Sequence, residues 1–328
     1  MPDTILQTFV LLRRNFADYS FVPMMLDIDM HSCVERVEEA LGGQGFSTYH
    51  MKDIEEALFA QLSEKGLLDT RSWKTPSATL LLRNDGKVSI LCNVEDQVLI
   101  RVEVTDDDIQ AAIKTAKDLS RLIGGQNPFA RDERIGWLTA RPLHAGTGLQ
   151  VCYKLHLPML AMLQQVRTIA GSLYKEHRFA LTALPDHDEK NPAAIFILRN
   201  MFTAYDSTQN LAESVKELAL SLSAKEINLR EKILKRTVRS TYLDQVYRAY
   251  GILRYARRLN EIEFLDYWSK LRLGAAAGLL PLTLEKVDGL LQKAGKAALL
   301  MAADIPRDDH TIYFARADVV RAELNGGL

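Results

Sequence analysis

Ile135-Gly136-Trp137-Leu138-Thr139-Ala140-Arg141-Pro142-Leu143-His144-Ala145-Gly146-Thr147-Gly148-Leu149-Gln150-Val151, running on to Leu155-His156-Leu157-Pro158, is the stretch on which the reading turns. Its two ends, Gly136 to Ala140 and Leu149 to Leu157, have the composition of strands. Upstream, Ala78 to Leu82 and Lys87 to Cys92 are β-like runs joined by Arg83-Asn84-Asp85-Gly86, whose Asp-Gly pair signals a tight hairpin. Val98 to Val104 alternates apolar and polar residues as a half-buried strand does, and Ala194 to Leu198 predicts a further strand. Helical spacing governs Ser32 to Ala40 (Val34, Val37, Leu41), Ile54 to Leu62, Met159 to Tyr174 and Ile109 to Ile123, the last between Asp106-Asp107-Asp108 and Gly124-Gly125. Strands joined by short turns predict an α+β fold: a largely antiparallel sheet flanked by helices.

The 328 residues, 47% hydrophobic, suffice for about two domains. Composition shifts near residue 225. From Leu211 onward no run looks like a strand, while Ile227, Leu234, Val238, Val246, Tyr250 and Leu253 recur at helical spacing. Shorter helices are predicted at Leu284 to Lys293 and Ala317 to Leu324. The expected division is a sheet domain over 1–224 and a helical domain over 225–328. Residues 225–272 carry 12 Lys/Arg against 6 Asp/Glu, either a solvated helical face or a surface for anionic groups.

With 41 basic and 42 acidic side chains the formal charge is −1, which argues against a globally basic nucleic-acid binder. The apolar run Ile5 to Leu12 is too short to span a membrane, and its arginines follow it, the wrong order for a secretory leader. Cys33, Cys92 and Cys152 are too scattered for a disulfide framework or a zinc site. A soluble cytoplasmic protein is expected, with no membrane and no nucleic-acid partner. The sequence contains no phosphate-loop, dinucleotide, HExxH or CxxC motif. His144, His156 and His177 are read as structural or solvated. Asp186-His187-Asp188-Glu189 is read as a solvated loop, with attraction of a divalent cation as the alternative; no metal site is expected.

The opening stretch resembles the signature of the guanidino phosphotransferase (phosphagen kinase) superfamily, in which GYLT is followed by CP, a short loop, GTGxRASV and xLHLP. Asn93-Val94-Glu95-Asp96-Gln97 resembles its NEEDH motif, and Leu12-Arg13-Arg14-Asn15-Phe16-Ala17-Asp18-Tyr19-Ser20-Phe21 its LARNxxDYPF stretch. Asp244 to Leu253 (DQVYRAYGIL) and Lys270-Leu271-Arg272-Leu273-Gly274 look like the helical domain of the bacterial protein-arginine kinase branch. The resemblance covers almost the whole chain, in order. It implies a guanidino-kinase-type sheet followed by an α-helical C-terminal domain, dimerisation through that domain, and transfer of phosphate from Mg-ATP to a guanidinium.

That chemistry needs a cage of cations around the phosphates. At the positions where the family places five arginines this chain has Phe9, Leu11, Leu99, Gln150 and, by the best alignment, Thr182. Charge-assisted hydrogen bonds contribute about 1.5–3 kcal/mol each, so five forfeit roughly 7–15 kcal/mol. A nucleotide affinity of about 0.1 mM amounts to only about −5.5 kcal/mol. Arg13, Arg14, Arg83 and Arg141 are candidate substitutes without a spacing rule to aim them. On the acceptor side, Arg141 replaces the family's cysteine, where a cation repels a substrate arginine. Glu95 retains the carboxylate that in the family orients the guanidinium and acts as base, or is a vestige of it.

The same branch binds phosphoarginine through an RDxxRA motif. Ala317-Asp318-Val319-Val320-Arg321-Ala322 matches it except at the first position, with Arg316 one residue earlier. Arg321 has the fork geometry for phosphoryl oxygens and Asp318, at i and i+3 on the same helix face, for a guanidinium; a surface ion pair is the alternative. The expected function is a degenerate protein-arginine kinase homologue without a cofactor, a regulatory or binding subunit. Its partners would be arginine-phosphorylated proteins, components of a Clp-type protease pathway, or an active relative paired with it if it is not a homodimer. The alternative is an active ATP:guanidino phosphotransferase with a rebuilt Mg-ATP site.

Overall fold

The computed structural model describes residues 1–68, 75, 77–184, 191–203, 208–235, 241–302 and 308–326, without the side chains of residues 176, 177, 235 and 309. The segment 186–189 and the His177 side chain lie outside the described residues. The strands are β1 (Ile5–Arg14), β2 (Phe46–His50), β3 (Thr79–Arg83), β4 (Val88–Cys92), β5 (Val98–Glu103), β6 (Arg131–Asp132), β7 (Gly136–Trp137), β8 (Leu149–His156), β9 (Phe179–Leu184) and β10 (Ile195–Asn200). All but β6 and β7 join one eight-stranded antiparallel sheet in the order β2-β3-β4-β5-β1-β8-β10-β9. The α+β class expected from the sequence is what the chain adopts.

The centre of that sheet is the run weighed above only as a leader or membrane segment. β1 lies between β5 and β8, with Val10 and Leu12 fully enclosed. A strand buried on both faces reads as an unbroken apolar run, so alternation does not reveal it. The other strands of this sheet that sequence reading missed, β2 and β9, are its edges, where little burial is demanded and composition is mixed; the two-residue β6, outside the sheet, was missed as well. The strand expected over Gly136 to Ala140 stops at Trp137. Beyond it the Leu138 N–H reaches Ala130 and the Ala140 N–H reaches the Asp96 carboxylate, so the chain leaves the ladder.

On one side of the sheet Val10, Leu12, Ile100, Val151 and Leu155 form a core with α1 (Asp27–Ala40), α3 (Ile109–Ile123) and α6 (Thr208–Arg230). The Asp108 carboxylate caps α3 by accepting the Ala111 N–H at 2.9 Å, as the acidic run predicts. On the other side, α2 (Glu56–Glu64) and its flanks cover only the β3–β4 end, through Leu62, Leu80 and Leu91. The helix expected over Met159 to Tyr174 is divided into α4 (Pro158–Met162) and α5 (Val166–Ser172) by Gln164, whose left-handed φ of 56° ends a helical ladder.

Of the remaining helices, α7 (Thr241–Tyr255), α8 (Glu261–Ala276), α9 (Leu284–Ala294) and α11 (Asp309–Asn325) share a second core around Trp268, Phe264 and Leu253, while α10 (Lys296–Met301) packs through Leu299 and Leu300 against Ala57 of α2 and Ile312 of α11. Gly274 lets α8 lie against α7, since a Cβ there would stand 2.5 Å from Val246 Cγ1. Helix α6 runs unbroken through residues 224 and 225, and its buried residues up to Leu222 belong to the sheet's core. The change of core falls between Leu222 and Leu234, with Leu229 packed against both cores.

A buried polar seam ties the two cores. Glu226, fully enclosed, accepts the Met159 and Leu160 N–H groups at 3.0 Å and the Arg230 Nε–H at 3.1 Å. Arg230 also donates to Asp3 Oδ2, and Arg272 donates to the Asp3 carbonyl and to Asp288. His156, at the end of β8, faces Ser269 Oγ through Nε2 and Arg272 Nη1 through Nδ1. Arginine only donates, so Nδ1 is the acceptor and the ring is neutral. Burial, then Arg272 and Arg230, hold its pKa well below the usual histidine value. The unfolded chain takes up a proton below about pH 6.5 that the folded ring refuses, so stability falls as the pH drops through that point. The melting temperature is expected to decline more between pH 7.5 and 5.5 for the wild type than for His156→Gln; parallel profiles by differential scanning calorimetry would count against this role.

Candidate active site

Glu95 sits in the tight link between β4 and β5, and three polar side chains fix that link. Asn15 donates through Nδ2 to Asp96 Oδ1 (2.8 Å) and accepts the Gln97 N–H through Oδ1 (2.9 Å). Gln97 in turn accepts the Phe16 N–H at 2.7 Å and donates to the Ser20 carbonyl at 2.8 Å. The Ala140 N–H reaches Asp96 Oδ1 at 2.7 Å, bringing the loop after β7 against the same turn. At the histidine position of the NEEDH-like motif, Gln97 thus acts as a structural bracket.

Two arginines address the paired carboxylates. Arg141 places Nε 2.5 Å from Glu95 Oε1. Arg13 is enclosed, with Nε 3.4 Å from Asp96 Oδ2 and 3.9 Å from Glu95 Oε2, and donates through Nη1 to Gln150 Oε1 at 2.8 Å. Burial lowers the Arg13 pKa and raises that of Asp96, each shift opposed by the other's charge. Removing either partner would leave the other as a buried, uncompensated charge, which is far costlier than the pair. His144 completes the group; burial together with Arg13, Arg141 and Arg199 pushes it down to about 3, so it is neutral. Ligand atoms of Glu95, Asp96 and His144 lie within 4.8 Å of one another, near enough to share a metal ion. A dication there competes with the two guanidinium groups already facing the carboxylates.

The strand register puts all five of the positions expected to have lost an arginine on one face of the sheet. Leu11 pairs with Gln150 and Arg101, Phe9 with Cys152 and Glu103, and Leu99 with Arg13, while Thr182 shares a row with Ile197 and Lys154. Phe9 lies beneath the Arg101 guanidinium, and Leu99 packs against the apolar cluster under α2. Gln150 has its amide filled by Arg13 and by the Asn200 carbonyl, which it reaches at 2.8 Å. Thr182 is exposed on the edge strand β9.

Among the four arginines considered as substitutes, Arg13 and Arg141 point to the carboxylates. Arg14 is structural: it donates to the Arg13 and Thr147 carbonyls and to Ser120 Oγ and stacks over Trp137, and burial brings it down to about 10. Arg83 pairs with Asp85 at the hairpin. Sequence reasoning missed Arg101, Lys154 and Arg199, which stand on the same face; once Leu99 and Gln150 are assigned to it, period-two counting reaches Arg101 and Lys154.

In the helical region Asp318 and Arg321 form an ion pair, and Arg321 also donates to the Ala256 carbonyl. Arg316 does not join them. It is enclosed and donates to the Ala294 and Leu259 carbonyls, holding α11 against its neighbours. Placing it beside Asp318 and Arg321 as a ligand group is corrected accordingly, because a residue one place before the motif points to another side of the helix.

Gly148 allows the loop before β8 to close on β1. Its φ is +68°, and a Cβ would lie 2.7 Å from both the Arg13 carbonyl and Arg14 Nη1. Gly148→Ala is expected to cost about 1–3 kcal/mol, read as a lower urea midpoint at unchanged m-value; an unshifted midpoint would contradict the close approach.

Residues 29–229 match the family model described as ATP:guanido phosphotransferase, C-terminal catalytic domain, and residues 239–326 the Protein-arginine kinase McsB C-terminal domain. The chain is 27% identical to a protein-arginine kinase of Caldanaerobacter subterraneus subsp. tengcongensis, covering 98% of this chain and 97% of that one. It is also 27% identical to that of Bacillus subtilis, over 85% and 78%. Among solved structures it resembles a lombricine kinase, with a TM-score of 0.58 at 14% identity over 70% of this chain and 68% of the other. It also resembles the duplicated taurocyamine kinase of Schistosoma mansoni, with a TM-score of 0.60 at 16% identity over 76% of this chain and 37% of that longer one.

Proposed function

This chain belongs to the ATP:guanido phosphotransferase family and is homologous to the protein-arginine kinases, and we propose that it is a degenerate member acting as a regulatory or binding subunit. One observation carries the reading. Phe9, Leu11, Leu99, Gln150 and Thr182 share a sheet face without bringing it a single positive charge. A triphosphate on that face lacks the cations its family uses there.

The acceptor end supports the same reading. The Glu95 carboxylate, which in the family takes up the substrate guanidinium, is engaged by the chain's own Arg141. That arginine is 59% exposed, so the pair contributes no more than about 1 kcal/mol and hinders an incoming arginine only modestly. The missing phosphate contacts weigh several times more. The binding activity is assigned to the helical region, where Asp318 and Arg321 match the guanidinium and phosphoryl halves of phosphoarginine. Arginine-phosphorylated proteins and Clp-type protease components are the partners this implies, in a bacterial cytoplasmic homodimer or a pair with an active relative.

A second reading, an active kinase with a rebuilt Mg-ATP site, is favoured by one specific feature: Arg13, Arg101, Lys154 and Arg199 stand on the same sheet face. Calorimetry separates the two. Free phosphoarginine is expected to bind the wild type and to bind Arg321→Ala at least tenfold more weakly, with Mg-ATP giving no submillimolar binding that depends on Glu95 or Arg141. Equal and negligible phosphoarginine heats for both proteins remove the reader function. Submillimolar Mg-ATP binding abolished by Glu95→Gln favours the enzyme.

A further inference from the structure

A run of apolar side chains stands in solvent where the chain enters α1. Met24 is 80% exposed, Leu26 66% and Ile28 75%. Single exposed apolar residues are ordinary, whereas three so close together make a patch of the kind that marks an interaction surface. Leu26 also occupies the N-cap of α1, where a polar side chain is preferred, and it makes no capping hydrogen bond. The patch is held at both ends. Gln97 Nε2 donates to the Ser20 carbonyl before it and Asn93 Nδ2 to the Met30 carbonyl after it, both at 2.8 Å, so it is carried by the turn between β4 and β5.

Negative charge continues from the patch along the same helix. Ile28, His31, Glu35 and Glu39 stand at helical spacing on the exposed side of α1, opposite the buried Cys33, Val34 and Val37. Asp27 and Asp29 in the first turn complement the helix dipole. Glu38 and Glu39 do not, because they close the last turn, where the dipole disfavours a carboxylate and no basic residue offsets it. Glu38 accepts the Thr48 hydroxyl at 2.6 Å, while among the described residues Glu35 and Glu39 form no ion pair. The arginine of this helix, Arg36, is taken by Asp18 at 2.8 Å. Between α1 and the β2–β3 edge lies a cleft of about 270 Å³, lined by Met30, Val34, Glu35 and Glu38 together with His31 and Lys52.

We infer that this side of α1, from Met24 to Glu39 with the cleft beside it, docks a cationic amphipathic segment of a partner protein. The apolar side chains of that segment cover Met24, Leu26 and Ile28, and its lysines or arginines meet Glu35, Glu38 and Glu39. Charge selects this occupant over two others. A second copy brings the same acidic rim, so a two-fold pairing sets like charges together. An anionic membrane surface meets the same repulsion. The docking surface uses neither the Glu95–Arg141 pair nor Asp318 and Arg321. It goes beyond the regulatory reading and stands whether or not the chain transfers phosphate.

The probe is a fluorescent helical peptide of leucine and lysine, followed by anisotropy against the full chain, with a leucine–glutamate peptide of the same pattern as its counterpart. The leucine–lysine peptide is expected to bind the wild type, less tightly as salt is added. It is expected to bind equally a control carrying Glu217→Lys and Leu220→Ser, two exposed positions of α6. Binding at least tenfold weaker is expected for Leu26→Ser with Ile28→Ser and for Glu35→Lys with Glu39→Lys. Leu26→Ser supplies a capping hydroxyl to α1, so the first of these variants is expected to melt no lower than the wild type, and its lost affinity then reports the surface. Undiminished binding by either double variant, equal binding of the leucine–glutamate peptide, or no binding by the wild type overturns the inference. It is also overturned if Leu26→Ser with Ile28→Ser abolishes a self-association seen in sedimentation, or releases the wild type's hold on phosphatidylserine vesicles, since the occupant is then a second copy or a lipid surface.

Discussion

A charge carried on the face of a β-sheet must find a counter-charge or keep its water, and this constraint organises the molecule. At the Glu95 end it is met within the chain: Arg13 and Arg141 face Asp96 and Glu95, and Asn15 and the Ala140 N–H hold the carboxylates in place. A few residues along the same strands it is not met, and Arg101 and Lys154 stand with little to balance them.

The magnitudes rank these effects. Under the degenerate reading proposed above, the pairing of the largely solvated Arg141 with Glu95 is the weaker obstacle to phosphoryl transfer. On the same reading, the absence of arginine at the five family positions is the stronger one, because each cationic contact to phosphate contributes about 1.5–3 kcal/mol. Arg13 does not replace them, since it is enclosed and committed to Asp96 and Gln150. Breaking that buried arrangement to free Arg13 for a nucleotide costs about 3–5 kcal/mol.

Much of the fold was legible in the sequence because local rules and tertiary structure agree. The Asp85-Gly86 hairpin and the Asp108 cap lie where turn and capping chemistry put them. What stayed hidden was decided by neighbours distant in sequence. Ile5–Arg14 is the central strand because both its faces are covered, and such a run carries no alternation to betray it. The site was half legible. Motif spacing placed Glu95, Arg141 and the five neutral positions together, but not the inward turn of Arg13, the unpaired state of Arg101, or the burial of Arg316 beneath its helix. Those depend on which partner each long side chain reaches, and spacing is silent on that.

The helical region rests on close packing, with Gly274 at the α7–α8 contact, and on the Glu226–Arg230–Arg272–His156 seam that joins it to the sheet. The account stands or falls on whether the sheet face still moves phosphate. The most direct measurement incubates the purified chain with magnesium and γ-labelled ATP in the presence of an arginine-rich protein, and follows acid-labile label on arginine. The account predicts none above a protein-free control. Label that accumulates with the wild type and disappears with Glu95→Gln would contradict it.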